Sequence, residues 1–260
     1  MNISRTIIFL ICLSPFSSNA QSADDAGSGW SIGIGVASRG AVYEGESAKS
    51  IPFPLIGYEG ERFYLQGTSL GYRFVQNDSF TLQAHLSASL NSIDADDFGR
   101  KELAARGINR NLLKDRDIGA DAGMTASWKT AGGTFEADVR ADITNTSGGY
   151  QASLDYGFPF PVGNAIITPG VGVSLYSSDL ANYYYGTLPD EIKRGVMDYK
   201  PGRATVPHAG VTAILPFASK WTFISSVNVE FLPNEITDSP LIDNDSDVLP
   251  TLFLGVTRSF

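Results

Sequence analysis

The stretch Val248 to Phe260, VLPTLFLGVTRSF, decides the fold. Leu252, Leu254, Val256 and Phe260 fall on one face of an extended chain, and Thr251, Gly255, Thr257 and Ser259 fall on the other. A strand in a bilayer must present apolar side chains to lipid at every second position and can carry small or polar ones toward a lumen. An alternating strand closed by a terminal aromatic is the usual end of a bacterial outer-membrane barrel. Arg258 is a charge in the lipid-facing register. It fits near the interface, where a long side chain can snorkel.

Working back from this strand, the same period of two recurs. Phe80, Leu82, Ala84, Leu86, Ala88 and Leu90 alternate with Thr81, Gln83, His85, Ser87, Ser89 and Asn91. Ile118 to Trp128 repeats the scheme, Ala131-Gly132-Gly133 makes a tight turn, and Phe135 to Ile143 sets an apolar face against Glu136, Asp138, Arg140 and Asp142. Further strands are expected at Trp30–Arg39, Tyr150–Phe158, Ile167–Tyr176, Val206–Leu215 and Trp221–Leu232. Short turns at Pro159–Gly163 and Phe217–Lys220 contrast with long polar connections at Asn91–Arg116, Ser177–Ala204 and Pro233–Asp247. That asymmetry is the one between periplasmic turns and external loops.

With both ends of the barrel domain periplasmic, the strand number is even. Ile51 to Gln76 then crosses three times, as Ile51–Tyr58, Arg62–Gly67 and Leu70–Gln76. The expectation is an all-β, transmembrane, antiparallel up-and-down β-barrel of twelve strands, with ten or fourteen as the alternatives. Pro52 and Pro54 fit poorly inside a ladder and suggest that their strand begins late or is irregular. A soluble barrel also alternates, with its apolar face inward. Small residues opposite the apolar faces, aromatics at strand ends (Trp30, Phe80, Trp128, Phe135, Tyr150, Trp221, Phe260) and the final Phe favour the membrane version.

Residues 1–20 read as a cleaved secretory signal: Arg5, the apolar run Ile7–Leu13, Pro15, and the small-x-small Ser18-Asn19-Ala20. Residues 21–260 form the barrel domain. Cys12 is the one cysteine and lies in the expected signal, so disulfides and thiolate metal sites are not expected. The formal charge is −9, and losing Arg5 makes it −10. An acidic exported chain is a poor partner for nucleic acid.

Candidate chemistry is sparse. His85 and His208 lie on polar strand faces without a Gly-x-Ser-x-Gly elbow or a His-Glu-x-x-His pair. They read as hydrogen-bonded lumen residues, with an envelope hydrolase as the competing reading. Glu136, Asp138, Arg140 and Asp142 form a ladder that is either a cation-favouring constriction or, the preferred reading, a salt-bridge network filling a narrow lumen. Arg39, Arg73 or Arg140 would supply its counter-charges. Tyr183, Tyr184 and Tyr185, with Tyr199, belong to a long external loop that either binds a partner or folds inward as a plug. Asp243, Asn244, Asp245 and Asp247 do not match the spacing of an EF-hand loop. No catalytic, cofactor-binding or metal residues are assigned.

The chain resembles a known family in Tyr58-Glu59-Gly60-Glu61-Arg62-Phe63-Tyr64 with Gly71-Tyr72, and in Arg116-Asp117-x-Gly119-x-Asp121-x-Gly123. Asn182-Tyr183-Tyr184-Tyr185-Gly186 with Tyr199 and the Gly255–Phe260 strand extend the match. The succession is similar to the MipA/OmpV family, the MltA-interacting proteins of Gram-negative outer membranes. The resemblance implies a non-enzymatic scaffold of the cell envelope that brings a lytic transglycosylase and a murein synthase together at the peptidoglycan. It further implies contact with outer-membrane lipid and with the assembly machinery during biogenesis. Arg258 stands where the family often has Tyr or another apolar residue, a departure that bears on the assembly signal. The alternative function is a narrow cation-preferring pore or a surface-exposed binding protein.

Overall fold

The computed structural model describes residues 29–89 and 91–260. The expected signal at residues 1–20, Cys12 and the Leu90 end of the Phe80–Asn91 strand lie outside them. Thirteen strands run in chain order: β1 Gly29–Arg39, β2 Lys49–Glu59, β3 Phe63–Gln66, β4 Ser69–Gln76, β5 Phe80–Ser89, β6 Gly119–Thr130, β7 Gly133–Asp142, β8 Tyr150–Gly157, β9 Phe160–Val162, β10 Ala165–Tyr176, β11 Ala204–Ala218, β12 Trp221–Phe231 and β13 Val248–Ser259. Each pairs antiparallel with its neighbours; β13 returns to β1, and β10 to β11 completes the ring. Both β8 and β9 pair with β10, on either side of a break at Phe158-Pro159. They form one stave, so the barrel has twelve. The closed ring pairs the backbone groups of the spanning sheet, as hydrocarbon requires, except along the β2 edge above Gly57, which has no neighbouring strand among the described residues. Among the described residues no helix is long and apolar enough to cross a membrane.

The outward face carries Ile32, Ile34, Leu86, Met124, Val139, Leu154, Val171, Val211 and Val227, all exposed. The end that holds Gly29 and Phe260, where the Phe260 N–H donates to Trp30 O at 3.0 Å, is ringed by aromatics. Trp30 meets Tyr58, Phe80 meets Trp128 and Phe135 meets Tyr156 across adjacent strands, with ring centroids 4.8–5.0 Å apart. Arg258 lies in this girdle, its guanidinium 5.9 Å from the Trp221 ring and 5.2 Å from the Phe260 ring. A cation over aromatic faces at the interface is how the sheet accommodates this charge.

Two expectations change. The strand with Pro52 and Pro54 begins early, at Lys49, and pairs regularly with β1 over its whole length. The prolines are tolerated because β2 pairs with β3 only over Gly57–Glu59, which leaves an edge without a neighbour above. Phe253 was on neither expected face of the terminal strand. It is buried inside the barrel with Ala37, Phe53 and Leu55, and Ile224 packs against them.

Candidate functional site: lumen wall and outer cap

The lumen has two unlike walls. The β13–β1–β2 side holds the apolar cluster just named. The opposite side, β5 through β11, carries the polar residues singled out by alternation. On β6 and β7, Thr125 Oγ1 donates to Asp138 Oδ2 at 2.9 Å and Ser127 Oγ donates to Glu136 Oε2 at 2.9 Å. His85 joins the first pair, with Nδ1 3.4 Å from Thr125 Oγ1 and Nε2 3.7 Å from Asp138 Oδ2. His208 belongs to a second group: its Nε2 is 2.6 Å from Asp155 Oδ1, and Ser153 Oγ donates to Asp155 Oδ2 at 2.9 Å. A β-carbon on Gly172 would come within 2.3 Å of Asp155 Oδ1 and 2.4 Å of His208 Nε2, so glycine makes room for that pair.

These groups consume their own hydrogen-bonding capacity. Ser153 Oγ donates to Asp155 and not to His208, so this serine does not present its proton to that imidazole. A nucleophile needs a base within hydrogen-bond reach of its own proton. Thr125 gives its proton to the Asp138 carboxylate in the geometry described. Arg140 donates to Gln151 Oε1 at 2.9 Å and lies 4.0 Å from Asp121 Oδ2. Arg73 pairs with Glu59 at 2.6 Å and stacks 4.7 Å from the Tyr64 ring, near the girdle end. Arg39 sits among Tyr43, Tyr185, Glu46 and Glu230 at the other end. Asp142 serves the outer turn: its oxygens accept from Thr144 N at 2.7 Å, Ser147 N at 2.6 Å and Gly148 N at 2.9 Å.

The outer segments 40–48, 91–118, 177–203 and 232–247 fold over the mouth as a cap with its own core. Val42 and Tyr43, Ile93, Phe98 and Leu103, Tyr184 and Tyr185, and Ile236, Leu241 and Ile242 are buried together from those four segments. Short helices α1 Arg100–Ala105, α2 Ser178–Tyr185 and α4 Asn234–Thr237 contribute Leu103, Ala181, Tyr184, Tyr185 and Ile236 to it, and α3 Pro189–Lys193 carries the buried Glu191. Ser177 caps α2 by accepting from Leu180 N. Tyr184 and Tyr185 are buried in this core, so neither ring is presented outward. Tyr43 Oη donates to Tyr184 O at 3.1 Å, and burial pushes the Tyr184 phenol up to about 12. Tyr183 Oη accepts from Asp117 N at 2.8 Å, and Tyr199 Oη donates to Glu235 O at 2.9 Å.

Sequence reasoning missed the residues that lock the cap. Arg116, 1% exposed, meets Glu191, 0% exposed. The pair is bidentate, Nη1 to Oε1 at 2.7 Å and Nη2 to Oε2 at 3.1 Å. Arg116 also donates to Tyr183 O, Lys114 O and Gly186 O. Glu191 accepts from Lys114 N at 2.8 Å and Leu188 N at 2.7 Å. A buried ion pair is tolerable when every remaining donor and acceptor is satisfied in this way. No local pattern marks the two residues as partners, since they lie in separate connections.

The family model described as MltA-interacting protein MipA matches residues 32–260. The chain is 31% identical, over 100% of both chains, to the putative outer membrane protein YiaT of Escherichia coli strain K12. It is 27% identical to the MltA-interacting protein of the same strain, covering 89% of this chain and 90% of that one. Among solved structures, the CymD monoaromatic hydrocarbon channel is similar with a TM-score of 0.43 at 13% identity, over 89% of this chain and 88% of that one.

Proposed function

The chain belongs to the MltA-interacting protein family, and from that premise we propose that this outer-membrane barrel is a non-catalytic scaffold for murein-processing enzymes. The observation that carries the reading is the cap: four outer segments share one buried core over the mouth, locked by Arg116 and Glu191. A barrel invested in closing its outer mouth is suited to hold partners, and less to conduct solutes. The polar lumen wall supports the non-enzymatic part, because its hydroxyls and carboxylates are bonded to one another.

The faces available to periplasmic partners are the inner turns Glu59–Arg62, Ala131–Gly133 and Phe217–Lys220, at the end opposite the cap. One relative is named for an interaction with MltA, and on this reading the partners are a lytic transglycosylase and a murein synthase. The test is a pull-down with the purified, detergent-solubilised protein against periplasmic lytic transglycosylases. Enrichment over an unrelated barrel, lost on exchanging the charges of Glu59, Glu61 and Arg62, is expected. Equal recovery on both barrels would overturn the reading.

The second reading, a narrow cation-preferring pore, draws on the carboxylates Asp121, Glu136, Asp138 and Asp155 on one lumen wall. Rings of acids raise the local cation concentration. Planar-bilayer recordings separate the two: openings whose selectivity shifts in Asp138→Asn favour the pore, and a silent bilayer favours the scaffold.

A further inference from the structure

Two cations meet at the girdle end of the barrel, on the seam where β12, β13 and β1 run side by side. Arg258 lies opposite Trp221 on β12 and opposite Ile32 on β1. Lys220 closes the β11–β12 turn, and its carbonyl accepts from Ser259 N at 2.8 Å, one residue along from Arg258. Both side chains are exposed. The exposed rings of Phe217, Trp221, Phe260 and Trp30 belong to the same patch: Phe217 lies 6.4 Å from Trp221, and Phe260 is tied to Trp30 by the backbone bond described above.

The protein neutralises neither charge. Among the described residues the side chains of Arg258 and Lys220 make no hydrogen bond and no ion pair. The two ring faces near the Arg258 guanidinium, at 5.9 and 5.2 Å, attract its charge but offer no oxygen to its N–H donors. The other arginines of this end are served, Arg73 by Glu59 at 2.6 Å and Arg62 by Tyr72 Oη at 3.5 Å. Lys220 carries a second signal, a backbone φ of +74°, where glycine is the residue of least strain. Asn145 is the other non-glycine residue at positive φ among the described residues, and asparagine tolerates that region. A lysine held there, with no partner in the protein, marks its side chain as the feature kept at the expense of strain.

We propose that Lys220 and Arg258 form a headgroup site for an anionic phospholipid of the periplasmic leaflet, with the lipid phosphate on the two cations and its acyl chains along the outward face of β13 and β1. Three features select this occupant. Aromatic girdles mark the level of the headgroups, so both cations stand at the height of the phosphates. A guanidinium takes phosphate oxygens in pairs, which supplies the acceptors that Arg258 lacks. Beyond the cations the outward side chains Ile32, Ile34 and Leu254 are exposed and apolar, a surface continuous with the hydrocarbon band. A second cation beside the first favours a lipid with net negative charge over a zwitterionic one. Arg258 is in the lipid-facing register of β13, which favours a lipid over a carboxylate arriving on a protein from the aqueous side.

The test uses the mature protein refolded in detergent and native mass spectrometry with phosphatidylglycerol or phosphatidylcholine of the same acyl chains. Phosphatidylglycerol should be retained several-fold more than phosphatidylcholine. Arg258→Leu and Lys220→Gly should each lower its retention several-fold, toward the phosphatidylcholine level. Both variants should remain folded and heat-modifiable, since leucine suits the lipid-facing register and glycine relieves the positive φ. Lys129→Gln, beside Trp128 on the opposite side of the ring, should leave retention unchanged. Equal retention of the two lipids would overturn the proposal. So would a preference for phosphatidylglycerol that survives both substitutions, or one lost equally in Lys129→Gln. Displacement of the lipid by inorganic phosphate at the same concentration would make this a site for a free anion and overturn the lipid assignment.

Discussion

Glu191 receives both terminal nitrogens of the Arg116 guanidinium at 2.7 and 3.1 Å, in a place where neither side chain reaches solvent. The pair joins the connection after β5 to the one after β10, and five backbone groups complete its hydrogen bonding. It is therefore a fastener of the cap.

Glu191→Ala leaves a buried guanidinium without its counter-charge, a change that costs on the order of 3–5 kcal/mol. The loss should fall on the cap. Limited proteolysis is expected to cut within 91–118 and 177–203, while the barrel still migrates as a folded, heat-modifiable band. Arg116→Met with Glu191→Leu should recover part of the protection and not all of it. Tyr183 O, Lys114 O, Gly186 O, Lys114 N and Leu188 N would lose these partners. Full recovery in the double variant would show that the ion pair and its backbone bonds are dispensable.

Cap and conductance are linked by the same pair. If the cap closes the mouth, the intact protein is silent in a planar bilayer, and Glu191→Ala introduces brief openings. Steady openings of the intact protein would instead make the lumen a conduit, and the acidic wall would then set its selectivity.

The two faces of β13 give a sharper test of sidedness. Phe253 is 1% exposed inside the barrel, and its neighbour Leu254 faces outward. Phe253→Ala should cost about 3–5 kcal/mol, as for a buried aromatic, read from urea unfolding in detergent. Leu254→Ala exchanges one lipid contact for another and should cost much less. On β1, Ile34→Arg near the middle of the band should cost about 2–4 kcal/mol, and Trp30→Arg in the girdle about 0–1 kcal/mol.

The staves were legible because lipid on one side and a lumen on the other impose a period of two that survives loop variation. Phe80–Ser89 and Gly133–Asp142 could be read almost residue by residue. Even the short staves between Ile51 and Gln76 followed from parity. The apolar wall was not read, although it left a mark: Leu252-Phe253-Leu254 and Phe53-Pro54-Leu55-Ile56 are unbroken apolar runs. Such runs mean that both faces of the strand are apolar. Pro52 and Pro54 stand out in the sequence as poor ladder residues, but the reason they are tolerated, an edge left open by a hairpin that stops short, depends on the length of β3. The cap was illegible for a different reason. Its core is assembled from four connections with no period, and the Tyr183–Tyr185 run looks the same whether it faces solvent or Ile236 and Leu241.

The Asp155–His208 pair owes its 2.6 Å approach to the missing side chain at Gly172. Gly172→Ala would push a methyl to within 2.4 Å of both partners, and neither is the free end of a long side chain. Overpacking of this kind costs about 1–3 kcal/mol. The cost should appear together with a changed imidazole resonance of His208 in the NMR spectrum of the micelle-bound protein. Asp155→Asn keeps the volume and removes the charge, so it should change the same resonance with a smaller loss of stability. If Gly172→Ala left both the resonance and the unfolding midpoint untouched, the imidazole would have to lie elsewhere in the lumen. The polar wall would then need a different account of how His208 is held.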